Sequence, residues 1–187
     1  QKCVSIIREK TDFVPEVALI LGSGLGEYAR SMDVKAEVPY SEIEGFPVST
    51  VAGHDGRFLF GYVEKVPMVI MKGRVHYYEG YDMTDVVMPI RISGNAWGRK
   101  SDSDECGRRC ESGISRPGDL MMITDHYSYF RAESASGENL DELGTRFPDM
   151  SHVYDLELCE VIRKAAKKLN DLLKEGISES ESRRPTG

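Results

Sequence analysis

The segment Lys72-Gly73-Arg74-Val75-His76-Tyr77-Tyr78-Glu79-Gly80 gathers side chains suited to an anion. Arg74 can fork onto two phosphate oxygens, which a lysine point charge cannot do. His76 lies two residues on, so in an extended segment both side chains face one way, and Tyr78 continues that row. Arg, His and Tyr aimed into one space suit an anion and a sugar; the plainer reading is a solvated loop. A second candidate is Gly22-Ser23-Gly24-Leu25-Gly26, directly after the apolar run Val17 to Leu21. A strand, then small residues, then a helix start exposes backbone N–H groups that bind phosphate well, and Ser23 adds a hydroxyl donor. No Gly-Lys-Ser/Thr follows, so this is not a Walker A loop, and its third glycine falls one residue early for the dinucleotide fingerprint. A tight turn with no ligand is the alternative. The third candidate, His54 in Ala52-Gly53-His54-Asp55-Gly56, gains interest only if it lies near the other two. Cys106 and Cys110 have no matching Cys or His pair to complete a set of four ligands, so no metal is expected. Asp125-His126 could be an acid–base pair but reads better as a strand-end turn.

The elements that must position these residues follow from patterning. Residues 4–10 suit a short helix. Val17 to Leu21 suits a buried parallel strand, with a short helical stretch after the glycine turn. Ser41 to Glu44 fits a capping box. Arg57 to Val63 and Val66 to Met71 are β-branched and aromatic, with Glu64-Lys65 turning between them, and predict a strand pair. Gly73 to Gly80 is then a loop, and Thr84 to Ile92 starts a helix. Leu120 to Thr124 is a further buried strand. Tyr154 to Lys174 predicts the clearest helix, with Leu158, Ile162, Ala165, Leu169 and Leu172 on one face. Strands alternating with helices imply an α/β fold with a mixed central sheet flanked by helices, in a single, incomplete domain over 1–187.

Composition narrows the function. The 187 residues carry a formal net charge of -7. Nucleic-acid binding needs a basic face and is not expected. A small anion remains possible where a pocket holds a few local cations. There is no run of about 18 apolar residues to span a membrane and no signal-peptide core. Four cysteines without a disulfide framework point to a reducing cytoplasm.

Six stretches in order and register resemble the trimeric purine nucleoside phosphorylases: LILGSGLG at 19–26, EGFP at 44–47, AGHDGR at 52–57, KGRVHYYEGY at 72–81, PGDLMMITDH at 117–126 and LGTRFPDMSHVYD at 143–155. The resemblance covers 1–92 and 117–175. It implies that Ser23, Arg74 and His76 hold the phosphate nucleophile, that His54 closes over it, and that Tyr78 lies against the ribose. His54 and His76 are thus the implied catalytic residues. The implied substrates are a purine nucleoside and inorganic phosphate, with no cofactor, and the implied assembly is a homotrimer. The family places an aromatic residue of a neighbouring subunit in the pocket; the matching position here is Leu143. Methylthioadenosine phosphorylases rank second, because they differ at the glycine turn and the Arg-His loop. A nicotinamide-dependent oxidoreductase would need an acidic residue about 20 positions past the turn on a second parallel strand; Glu42 and Glu44 fall in a turn-like stretch instead.

Residues 93–116 break the pattern, being polar, charged and almost without aliphatic side chains. The plain reading is a disordered surface insertion, although so long a structureless loop is itself unusual. The resembling family has an apolar strand and a Thr-Asn-Ala-Ala-Gly-Gly loop there. Ser103 to Cys110 can be encoded by TCT GAC GAA TGC GGC CGG CGG TGT. Displaced by a single base, this reads CTG ACG AAT GCG GCC GGC GGT, which is Leu-Thr-Asn-Ala-Ala-Gly-Gly. A frame-shifted reading of the family loop is therefore expected, and residues 131–137 and the tail 177–187 also leave the family pattern. A central strand made of charged residues would carry a large desolvation cost. The literal chain is accordingly expected to fold poorly and to lack phosphorolysis activity, leaving a phosphate- or nucleoside-binding remnant as the non-enzyme alternative.

Overall fold

The computed structural model describes residues 2–22, 25–48, 56–96, 100–103, 119–128, 145, 147, 149–151 and 153–180. They fall into two compact units, Gln1–Cys106 and Gly107–Gly187.

The first unit holds helix α1 (Lys2–Lys10), strands β1 (Val17–Leu21), β2 (Asp33–Pro39), β3 (Arg57–Val63) and β4 (Val66–Lys72), helix α2 (Met83–Ala96) and strand β5 (Lys100–Ser103). Its sheet has the order β2-β3-β4-β1-β5. β2, β3 and β4 pair antiparallel, whereas β4, β1 and β5 run parallel. Strands that run parallel in one sheet need a crossover, and α2 lies in the connection from β4 to β5, which lie on either side of β1.

Alternation along the strands divides the interior into two layers. Ala18 and Ile20 of β1, Phe58 and Phe60 of β3, and Val69 and Met71 of β4 join one cluster with Ile7 of α1 and Ile92 of α2. Leu21, Leu59 and Ile70 face the other way onto Ala29 and Met32, which flank the end of the 3-10 segment Gly26–Ser31. The expected α/β architecture, a mixed sheet with helices against it, is the one the chain adopts. The hairpin β3–β4 pairs from Val63↔Val66 to Arg57↔Lys72, as the two-residue turn Glu64-Lys65 requires.

Three local expectations are corrected in this unit. β2 was not legible in the sequence, because it is an edge strand with mostly exposed residues and Val38 as its fully buried side chain; charged edge strands resist unwanted pairing. The Ser41 capping box does not form. A 3-10 turn over Tyr40–Glu42 starts from Pro39 without a side-chain cap. Residues 93–103 hold the end of α2 and the strand β5. Among the described residues β5 pairs with β1. Residues 97–99 and 104–118 lie outside the described residues.

The second unit holds β6 (Leu120–Ser128), helix α3 (Leu156–Leu169) and β7 (Leu173–Ser180), with β6 and β7 parallel. Asp155 caps α3, its Oδ1 accepting from the Leu158 N–H at 2.8 Å. Asp155→Ala is expected to lower the stability of this helix by about 1 kcal/mol, seen as a lower thermal midpoint by circular dichroism. The helix is shorter than the sequence predicts. Asn170 takes the left-handed C-cap conformation at φ 55 and accommodates the turn into β7, so Leu172 falls beyond the helical face. Asp125-His126 is not a strand-end turn: β6 runs through it to Ser128, with an irregularity between Ile123 and Asp125. Pairing with β7, distant in sequence, carries the strand on. Arg163 forks onto Glu175, through Nε and Nη2 at 2.7 Å each, and ties α3 to β7. Hydrogen bonding from Arg163 holds the Glu175 carboxyl below its usual range. Of the tail, residues 177–180 continue β7, and 181–187 lie outside the described residues.

Candidate functional site

The register of the first sheet decides where the candidates lie. Leu21 of β1 pairs with Lys72 of β4 in parallel, so the two strands end side by side, about 4.8 Å apart. The glycine turn leaves β1 at Gly22, and the Arg-His segment leaves β4 at Gly73. β3 is antiparallel to β4, with Arg57 opposite Lys72, so β3 begins at the same end. Gly56, just before β3, therefore lies at this end, beside Gly73. The contact is close: a methyl group on Gly73 would lie 3.3 Å from Gly56 Cα. β5 also points its carboxyl end this way, with Ser103 opposite Ile20. Carboxyl ends of parallel strands are where open α/β sheets bind ligands.

Arg74 is half-buried and pairs with no carboxylate among the described residues. Val75 is buried, while His76, with extended backbone at φ -121 and ψ 151, is half-buried. The alternating row expected for Arg74, His76 and Tyr78 stops at His76, because Tyr78 lies in the 3-10 turn Tyr77–Glu79. That turn is held by Glu79 Oε1, which accepts from the His76 N–H at 2.8 Å, and it closes at Gly80, where φ is 93. Glycine reaches that left-handed conformation without a Cβ clash. The side chain of Tyr78 lies outside the described residues, as do Ser23, His54, Leu143, Cys106 and Cys110.

One neighbour of the glycine turn, and one buried core residue below the sheet end, escaped the sequence reading. Lys72 ends β4, and its Cε would lie 3.7 Å from a methyl group on Gly26, so a second cation reaches along the end of the glycine turn. Only the β1–β4 register makes it a neighbour of that turn. Tyr40 follows β2 and is buried against Phe46 and Phe58. Its hydroxyl has no hydrogen-bond partner among the described residues, and burial pushes the phenol far above its ordinary value of 10.0. A folded pKa raised above the unfolded one stabilises the fold below the unfolded value and loses that contribution as pH climbs past it. Alkaline titration is therefore expected to weaken the first unit above about pH 10, and Tyr40→Phe is expected to flatten that limb of the stability–pH curve measured by urea unfolding.

This end of the sheet thus gathers Lys72, the half-buried Arg74 and His76, and the backbone of Gly22, Gly56 and Gly73. Electrostatically, Lys72 and Arg74 make a local positive region on a chain of net charge -7. Such a region can concentrate a small anion.

No family model matches the chain. Purine nucleoside phosphorylase 1 of Geobacillus stearothermophilus is 36% identical over 187 residues, which cover 95% of this chain and 64% of that protein. The chain spans just under two thirds of the length of the purine nucleoside phosphorylase 1 proteins of Geobacillus stearothermophilus and Bacillus subtilis. Among solved structures, the purine nucleoside phosphorylase of Schistosoma mansoni in complex with acetate superposes with a TM-score of 0.90 at 30% identity, covering all of this chain and 70% of that one. A purine nucleoside phosphorylase in complex with ribose-1-phosphate gives 0.90 at 31% identity, again covering all of this chain and 70% of the other. Identity at this level over nearly the whole chain, with the same fold throughout, places the chain in the purine nucleoside phosphorylase family.

Proposed function

We propose that the protein serves purine nucleoside phosphorolysis and that this chain carries the phosphate side of the site. The observation behind the reading is the meeting of Gly22, Gly56 and Gly73 at one end of the sheet, since each opens or closes a segment with a candidate phosphate ligand. Arg74, His76, Ser23 and His54 would hold the anion, and Tyr78 would lie against the ribose. A phosphate oxygen attacks the anomeric carbon as the bond to the purine nitrogen breaks. The base leaves with the electron pair and takes up a proton, giving free purine and ribose 1-phosphate. The transition state has oxocarbenium character, as in glycoside hydrolysis, and a dianion held beneath the sugar stabilises that charge. Fixing the phosphate also turns a bimolecular encounter into a local one, a contribution of several kcal/mol. The names of the relatives favour this reading over a methylthioadenosine phosphorylase. The homotrimer, the cytoplasmic setting and the lack of any cofactor beyond phosphate belong to the same proposal.

A second reading, an inactive phosphate- or nucleoside-binding remnant, is favoured by β5, whose sequence Lys-Ser-Asp-Ser is polar throughout and leads into the region with the broken pattern. Hypoxanthine release from inosine, run beside calorimetric titrations with phosphate and with purine, separates the two. Release that depends on phosphate supports the enzyme. Binding without release supports the remnant. A chain that binds no phosphate overturns both.

A further inference from the structure

Lys72 ends β4 with an exposed side chain. Alternation along the strand fixes the side on which it stands. Val69 and Met71 join one apolar layer. Ile70 joins the other, with Ala29 and Met32, and Lys72, two residues past Ile70, falls on that second side. The 3-10 segment Gly26–Ser31, which follows the glycine turn, lies there too. The Lys72 stem accordingly runs beside the end of the turn, with Cε 3.7 Å from where a methyl group on Gly26 would sit. Both ends of the turn are held in place. Leu21, just before it, pairs with Lys72 in the parallel register. The Leu25 N–H donates to the Gly22 carbonyl at 3.3 Å, and the Tyr28 N–H to the Leu25 carbonyl at 2.9 Å.

The charges around Lys72 cancel one another and leave its own uncompensated. Arg57, opposite Lys72 on β3, pairs with Glu37. Glu27, next to Gly26, pairs with Arg30 at 2.7 Å. Lys72 has no carboxylate partner among the described residues. We propose that Lys72 is an affinity-setting residue of the phosphate site: its ammonium raises the positive potential at the glycine turn and draws in the phosphate dianion without being one of its hydrogen-bonding ligands. This rests on the phosphorylase reading of the site. An exposed ammonium keeps its hydration, so it acts through its field rather than by a fitted contact. Its part thus differs from that of the half-buried Arg74, whose planar fork suits direct contact.

The test measures the Kd of inorganic phosphate for the full chain by calorimetry, with a thermal midpoint for each variant. At an ionic strength of about 0.1 M the screening length is about 10 Å. There Lys72→Gln is expected to raise Kd about threefold, the scale of one exposed charge interaction. The effect follows the charge, so Lys72→Glu is expected to raise Kd about tenfold, and Lys72→Arg to keep the wild-type value. At about 1 M, where the screening length falls to about 3 Å, all three variants are expected to match the wild type measured at the same salt. Lys65→Gln removes the same charge from the exposed turn at the other end of the hairpin, roughly 20 Å away, and is expected to keep the wild-type Kd. Thermal midpoints are expected to stay unchanged throughout. A wild-type Kd for both Lys72→Gln and Lys72→Glu at the lower ionic strength overturns the proposal. So does a loss of affinity that persists undiminished at the higher one, which marks Lys72 as a direct ligand, and so does an equal loss in Lys65→Gln. A wild-type chain that binds no phosphate at either ionic strength defeats the phosphorylase reading itself, which is a different result.

Discussion

Replacing Arg74 by alanine is expected to weaken phosphate binding about a hundredfold. A guanidinium forked onto a phosphate makes two charge-assisted hydrogen bonds, each worth roughly 1.5–3 kcal/mol. Losing even the lower figure twice, about 3 kcal/mol, corresponds to two decades in Kd. Arg74 emerges just past β4, is half-buried and has no carboxylate partner among the described residues. Its removal therefore leaves no buried acid unpaired, and the circular dichroism spectrum is expected to stay unchanged. Arg74→Lys restores the charge without the planar fork and is expected to recover a minor part of the affinity. Calorimetry at one fixed ionic strength decides the matter, since screening alters exposed electrostatics. If Arg74→Ala binds phosphate like the wild type, the second cation, Lys72, or another group holds the anion, and Arg74 has no place in the site.

Phe58→Ala is expected to bring the largest loss of stability. The Phe58 side chain is fully buried at the start of β3. It lies edge-on to Tyr40 at 4.9 Å and to Phe46 at 5.4 Å, and near Phe60 at 6.2 Å. Truncating a buried phenylalanine costs about 3–5 kcal/mol, and edge-to-face partners add about 0.5–1.5 kcal/mol for each pair lost. Domains of this size have roughly 5–15 kcal/mol in total. The variant should sit at or below the margin of folding at 25 °C, with the urea midpoint greatly reduced. Phe58→Leu keeps most of the volume and should fold. A urea midpoint for Phe58→Ala close to the wild type would show that this aromatic cluster does not hold the sheet together.

How much of this was legible without coordinates depends on whether a residue's fate is set by near or distant neighbours. The continuous apolar run Val17–Leu21 and the paired runs around Glu64-Lys65 predicted β1 and the β3–β4 hairpin to within one residue, because burial on both faces and a two-residue turn are local demands. The family likeness, too, could be read from the motifs. β2 could not, since an exposed edge strand draws its backbone bonds from β3 and shows little hydrophobic alternation of its own. The end of α3 turned on one left-handed residue, Asn170, within a pattern that otherwise continued helical. Asp125-His126 stayed extended because β7 pairs with it from fifty residues away. Most of all, the sequence determined which residue types suit an anion, while only the tertiary register brought the ends of β1 and β4 and the start of β3 together. Leu21 facing Lys72 in parallel, and Arg57 facing Lys72 antiparallel, bring three chain segments to a single sheet end. No local preference encodes that meeting: it follows from hydrogen-bonded strands choosing the alignment that buries both apolar layers at once.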